Sequence, residues 1–175
     1  TLNLILNTLR IKIDKIVKAW ELNERHYGSL TGLNKNEMKK IYGEKKIHEF
    51  RRSWDNQPEA LNKNSPYHPL NIETYKDIPK NKIPDSESLK DTYERVIPFF
   101  EKNIKNKMNK NILVVAHGNS IRALCKHLFE IDNNKISKLE VPTGNPLILK
   151  FSENKKLISG NYLDKNRAKD LLIFS

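Results

Sequence analysis

The stretch Ile112-Leu113-Val114-Val115-Ala116-His117-Gly118-Asn119-Ser120-Ile121-Arg122 decides how the rest of the chain is read. Its apolar run, rich in Val and Ile and without alternation, suits a strand covered on both faces, as in a parallel sheet. Beyond it Ile121, Leu124, Cys125, Leu128 and Phe129 recur at helical spacing, and Ser120 or Asn119 is placed to cap that helix. His117 therefore stands where a buried strand hands over to a helix start. At that edge open α/β sheets bind ligands and helix N-termini favour anions. A histidine and a glycine at a tight turn can also be structural, although neither residue type is needed merely to end a strand.

On the C-terminal side, Ser137 is positioned to cap a single turn, and Thr143-Gly144-Asn145-Pro146 predicts a turn before a second short strand at Leu147-Ile148-Leu149. Leu157-Ile158 is expected to pair near it, and the tail from Asp164 reads as a weak terminal helix. On the N-terminal side, Leu89, Tyr93, Val96, Ile97, Phe100, Ile104 and Met108 predict a long helix starting at Asp85 or Ser86. Pro98 should bend that helix or shift its hydrogen bonding. Residues 55–85 carry Pro58, Pro66, Pro69, Pro79 and Pro84 among Asn, Lys and Asp. So long a connection reads as a functional loop or lid, or as a merely mobile segment.

Further upstream, Asn34 with Glu37 makes a local capping box for a short helix closed by Gly43. A second helix from Glu44 to about Trp54 lines up Ile47, Phe50 and Trp54, with Arg51 and Arg52 beside that stripe. Residues 2–10 read as a helix, and Ile11, Ile13, Ile16 and Val17 as a short strand. No strand precedes that first helix, and the chain opens on Thr1, so it reads as N-terminally truncated.

The 175 residues fit a single domain, 1–175, with one modest core. With 32 Lys+Arg against 21 Asp+Glu the formal charge is +11, a field that attracts anions of any kind. The basic residues are spread along the whole chain, which argues against a nucleic-acid arm. No apolar run reaches membrane-spanning length, the first residues do not read as a signal peptide, and Cys125 is the only cysteine. A cytoplasmic, non-membrane chain is expected. Paired-cysteine and H-E-x-x-H spacings are absent, so no metal site is expected.

Three clusters are candidates for one pocket: Glu24-Arg25-His26-Tyr27, Arg51-Arg52 with Lys35, and His117-Gly118-Asn119. Arginine forks and a mobile lysine charge suit phosphate and carboxylate groups. A glutamate held among cations stays ionised and can exchange a proton with a hydroxyl, and an imidazole at a helix start can donate to a phosphoryl oxygen. The same residues would equally satisfy a set of surface ion pairs.

The blocks L-N-E-R-H-Y-G (22–28), T-G-L-N-K (31–35), Arg51-Arg52-Ser53 and A-H-G-N-S-x-R (116–122) closely resemble the cofactor-dependent phosphoglycerate mutases of the histidine phosphatase superfamily. The resemblance runs in order from about residue 1 to 162. It implies an α/β, three-layer phosphoglycerate mutase-like fold with a mainly parallel sheet, N-terminally truncated. It also implies interconversion of 2- and 3-phosphoglycerate through 2,3-bisphosphoglycerate, in glycolysis and gluconeogenesis, without metal. Carried over, Glu24 is the proton donor and acceptor. Arg25, His26 and Tyr27 line the phosphoglycerate site, and Lys35, Arg51 and Arg52 hold carboxylate and phosphate. His117 stabilises the transferring phosphoryl with the backbone of Gly118 and Asn119, residues 55–85 form the active-site cover, and phosphorylated three-carbon acids and a homo-oligomer are the expected partners. The family's R-H-G-E/Q motif, which carries the phosphorylated histidine, is not found in these residues, and Glu21 stands where an arginine is usual. A catalytically inactive truncated or degenerate homologue, or a non-catalytic anion-binding protein, is therefore the alternative.

Overall fold

The computed structural model describes residues 1–13 and 15–168. Its helices are α1 (Leu2–Leu9), α2 (Lys35–Tyr42), α3 (Glu44–Arg52), α4 (Leu89–Phe99) and α5 (Gly118–Leu128). Its strands are β1 (Leu147–Phe151) and β2 (Leu157–Tyr162). Local chemistry fixes the helix ends. Asn34 Oδ1 accepts from the Asn36 and Glu37 N–H groups at 2.9 and 3.4 Å, and Gly43, at φ +81°, separates α2 from α3.

The α4 helix begins at Ser88 rather than Asp85 or Ser86. Only Ser88 has an acid three residues on, Asp91, and the two exchange bonds in a capping box. The other two candidates are engaged elsewhere: Asp85 meets His68, and Ser86 Oγ donates to the Pro58 carbonyl. Pro98 has no N–H to give. Just beyond it the ladder passes into a π turn at Phe100–Ile104 and a 3-10 turn at Lys105–Lys107.

The core lies between α4 and α5. Leu89, Val96 and Ile97 face Ala123 and Cys125, and Ile131, Ile136 and Leu139 close the end. Burial pushes the Cys125 thiol up to about 12, so it packs as a small hydrophobe. Ser137 lies inside the 3-10 turn Ile136–Lys138 rather than capping it. Residues 55–85 form a strap of short 3-10 turns, tied back by Ser29 N–H to Glu59 O at 2.8 Å and Leu61 N–H to Asp85 O at 2.9 Å.

The mainly parallel, three-layer sheet is not what the structure contains. Among the described residues the only sheet is the antiparallel pair β1–β2, flanked by helices. Residues 112–116 form no regular element and lie in no ladder, with Ile112 43%, Leu113 59% and Val115 37% exposed. A continuous apolar run encodes a preference for burial, but a strand also needs neighbours with matching backbone groups, and none of the described segments supplies them. Residues 147–162 carry both halves of a hairpin. Their turn is closed by Ser152 N–H to Lys156 O at 2.8 Å, with Lys155 at φ +59°. The expected strand at 11–17 is likewise unpaired where described, with Ile11, Ile13, Ile16 and Val17 exposed. Of the expected terminal helix, Lys165–Arg167 makes one 3-10 turn, and residues 169–175 lie outside the described residues.

β2 packs directly on Phe129 through Gly160. A Cβ there would stand 2.5 Å from Phe129 Cζ and 3.0 Å from Leu149 Cδ2. Gly160→Ala is therefore expected to lower stability by about 1–3 kcal/mol in urea unfolding, as overpacking does. A variant as stable as the parent would mean that the Phe129 ring does not rest on the strand.

Candidate active site

Two buried cross-links bring the 21–28 segment into position. Arg95, on α4, donates through Nε and Nη2 to the Glu87 carboxylate at 2.6 and 2.9 Å. It also donates to the carbonyl oxygens of Glu21, Asn23 and Glu24 at 2.5, 3.0 and 3.2 Å. Glu87 Oε2 accepts from the His26 N–H at 2.9 Å. From the other side α5 reaches across. Ser120 Oγ donates to Asn23 O at 2.7 Å, and Asn119 Nδ2 donates to Glu24 Oε1 at 2.9 Å and to Tyr27 Oη at 2.7 Å. The two residues expected to cap α5 thus use their side chains on the 23–27 segment, and the N-cap position falls to His117 with no side-chain cap.

These contacts border a cavity of about 360 Å3. One wall carries Glu24, Arg25, His26, Tyr27, Lys35 and Arg51. The strap contributes an apolar part of the lining that includes Tyr67, Ile72, Tyr75 and Ile78. Two guanidinium groups lie over the Tyr27 ring, with Arg25 Cζ 4.8 Å and Arg51 Cζ 5.2 Å from its centroid. Arg25 is 2% exposed and gives Nη2 to the Phe50 carbonyl. Its Nε and Nη1, together with His26 Nε2 and Thr31 Oγ1, are buried with no hydrogen-bond partner. Buried donors are rarely left unpaired, so a cavity edged by them suits an oxygen-rich anion.

Burial lowers the pKa of Arg25, with Tyr27, Glu24 and Glu87 opposing. Burial also lowers that of His26, with nearby His68 adding to the effect; the two rings are 5.7 Å apart. His26 Nδ1 accepts from the Gly28 N–H at 3.1 Å. His68 is fully buried, with Nε2 3.1 Å from Asp85 Oδ1, and anchors the strap beside the cavity.

Of the residues predicted for the site, Glu24, Arg25, His26, Tyr27, Lys35 and Arg51 meet at the cavity, and Asn119 joins them through Glu24 and Tyr27. Arg52 turns away, donating to Leu139 O at 3.2 Å and pairing with Glu140 at 3.2 Å. His117 is exposed at the start of α5, with Gly118 beside it, and neither lines the cavity. No site role was assigned to Glu87, Arg95, Thr31, His68 or Asp85 from the sequence, although Thr31 stands in the T-G-L-N-K block and Asp85 was a candidate helix start. Arg95 sits on a helix read for its apolar stripe, where a polar residue signals solvent unless its partner is known. Among the described residues no group of His, Cys, Asp and Glu could hold a metal ion, and no helix is long and apolar enough to cross a membrane.

The profile of the histidine phosphatase superfamily (branch 1) matches residues 54–161. A 2,3-bisphosphoglycerate-dependent phosphoglycerate mutase of Pelagibacter ubique (strain HTCC1062) is 62% identical over 176 residues, covering 99% of this chain and 74% of the relative. The enzymes of that name from Hydrogenobaculum sp. (strain Y04AAS1) and Maricaulis maris (strain MCS10) are 44% and 43% identical. They match over 93% and 98% of this chain and 67% and 72% of their own lengths.

Proposed function

Because the chain belongs to the 2,3-bisphosphoglycerate-dependent phosphoglycerate mutase family of the histidine phosphatase superfamily, we propose that it supplies the anion-binding and proton-exchanging part of a mutase site acting on 2- and 3-phosphoglycerate. The observation that carries this reading is the convergence of Arg25, Lys35 and Arg51 with the Glu24 carboxylate, beside buried donors that have no protein partner. Arg25 and Arg51, both over the Tyr27 ring, offer guanidinium N–H groups to phosphate or carboxylate oxygens, and Lys35 adds a mobile charge. Glu24 Oε1 already accepts from the Arg25 N–H at 2.7 Å and from Asn119. Its Oε2 is therefore the oxygen that takes the proton from a substrate hydroxyl and returns it.

The same donor set fits 2,3-bisphosphoglycerate, a polyanion, which supplies a phosphoryl group when bound. His117, Gly118 and Asn119 lie at the N-terminus of α5, where a phosphoryl group is favoured by the helix dipole, and the 55–85 strap acts as the cover. The second reading is an anion-binding chain without turnover. It is favoured by one sequence fact: none of the five histidines stands in an R-H-G-E/Q motif.

Calorimetry with 3-phosphoglycerate and a mutase assay test both readings. The 175-residue chain is expected to bind, and Arg51→Ala is expected to weaken binding about tenfold at low salt and less at high salt. Equal losses across salt would argue against direct charge pairing, and absence of binding in the parent would end the proposal. No mutase rate above a His117→Ala control is expected from these residues alone; a measurable excess would favour the full activity.

A further inference from the structure

We propose that Arg122 is a positioning residue that sets the direction of the Asn119 amide and, through it, which oxygen of Glu24 faces the ligand; this rests on the function proposed above. Arg122 follows Asn119 by three residues on α5, so the two side chains share a face. Its guanidinium is 5% exposed. It donates through Nη1 to Asn119 Oδ1 at 2.5 Å and through Nε to Leu139 O at 3.2 Å. An asparagine amide can point either way, and its two ends have opposite hydrogen-bonding character. A guanidinium has only donors, so Asn119 must turn Oδ1 towards it and Nδ2 away, onto Glu24 Oε1 and Tyr27 Oη. The flipped amide would set N–H against guanidinium and carbonyl against carboxylate, so both ends oppose it.

The consequence falls on Glu24. With the Arg25 N–H and Asn119 Nδ2 both on Oε1, the carboxylate cannot rotate without losing two bonds, and Oε2 is held towards the ligand side. Placing Arg122 here is costly. Burial, with Arg52 adding repulsion, lowers its pKa to about 10, and Tyr27, Glu140 and Glu24 offset this in part. A residue that merely packed α5 against Leu139 would need no charge. The bond to Asn119 gives that charge a use.

A double-mutant cycle separates positioning from packing. With 3-phosphoglycerate as the probe, Arg122→Met and Asn119→Ala are each expected to weaken binding about tenfold, as loss of a charged hydrogen-bond partner does. The double variant should bind within about twofold of Asn119→Ala, because Arg122 acts through Asn119. Losses that multiply to about a hundredfold would overturn the proposal. Should Arg122→Met fail to fold, Asn119→Asp serves in its place. It keeps an acceptor for Arg122 but sets an oxygen against Glu24, so it should bind more weakly than Asn119→Ala; parent-like binding would sink the idea.

A readout without ligand keeps this independent of the assigned function. In nitrogen-edited NMR, the Asn119 side-chain amide protons should be resolved and slow to exchange in the parent and Arg122→Lys chains. They should lose that protection in Arg122→Met. Unchanged protection would refute the positioning role. Absence of any phosphoglycerate binding by the parent would instead count against the proposed function.

Discussion

Arg95→Met is expected to cost about 3–5 kcal/mol of stability, enough to abolish cooperative unfolding in a chain of ordinary marginal stability. The Glu87 carboxylate is almost completely buried, and Arg95 is the only cation within ion-pair distance of it among the described residues. Removing the guanidinium leaves a charge that the interior can neither solvate nor pair. It also frees the carbonyl oxygens of Glu21, Asn23 and Glu24, which Arg95 gathers. Two separate losses therefore fall on one substitution. The double variant Glu87→Leu with Arg95→Met removes the orphan charge but not the orphan carbonyls, so it should recover only part of the loss in urea unfolding. Full recovery would show that the carbonyl contacts contribute nothing. A single-variant loss below about 1 kcal/mol, the range of exposed pairs such as Lys135–Asp132, would show that the pair is not buried in solution.

The same pair shows where sequence reading reaches its limit. Helices α2, α3, α4 and α5 were legible because each carries its own periodicity and two of them, α2 and α4, carry a side-chain cap, so short-range information suffices. The β1–β2 hairpin was legible for a similar reason: its strands are separated only by a turn. A sheet at 112–116 needs more than one apolar run, because pairing is a property of two segments, and the run lies in no ladder.

The candidate site divides along the same line. Glu24, Arg25, His26, Tyr27, Lys35 and Arg51, which line one cavity, could be grouped from the sequence because their residue types suit an anion and because they stand in recognisable blocks. Arg122 stands in the A-H-G-N-S-x-R block, but only its bond to Asn119 Oδ1 gives it a role. Arg95 gave no signal of this kind, and Glu87, although residues 87–92 also resemble the family, had no role without Arg95. They are eight residues apart, and what they hold is backbone some 70 residues upstream.

Gly28→Ala is the second large effect, and here it is the backbone that resists. Gly28 sits at φ +54°, and a Cβ added there would stand 2.1 Å from the Glu59 carbonyl oxygen and 2.6 Å from Ser86 Oγ. Neither neighbour is free to retreat. Glu59 O accepts from the Ser29 N–H at 2.8 Å, and Ser86 Oγ donates to Pro58 O at 2.7 Å. Three segments meet at this glycine: the 23–28 loop, the start of the strap, and the approach to α4. Left-handed backbone costs an alanine about 1–2 kcal/mol, and forced overpacking adds about 1–3. Gly144→Ala supplies the control, because Gly144 has φ +71° but nothing within 4 Å of its Cβ position. Gly28→Ala should therefore unfold at clearly lower urea than Gly144→Ala, the difference being the clash alone. Because His26 and Tyr27 immediately precede Gly28 and line the cavity, 3-phosphoglycerate affinity should fall in Gly28→Ala and hold in Gly144→Ala. Equal midpoints for the two variants would mean that the strap does not lie against Gly28, and the apolar wall of the cavity would then have to be placed elsewhere.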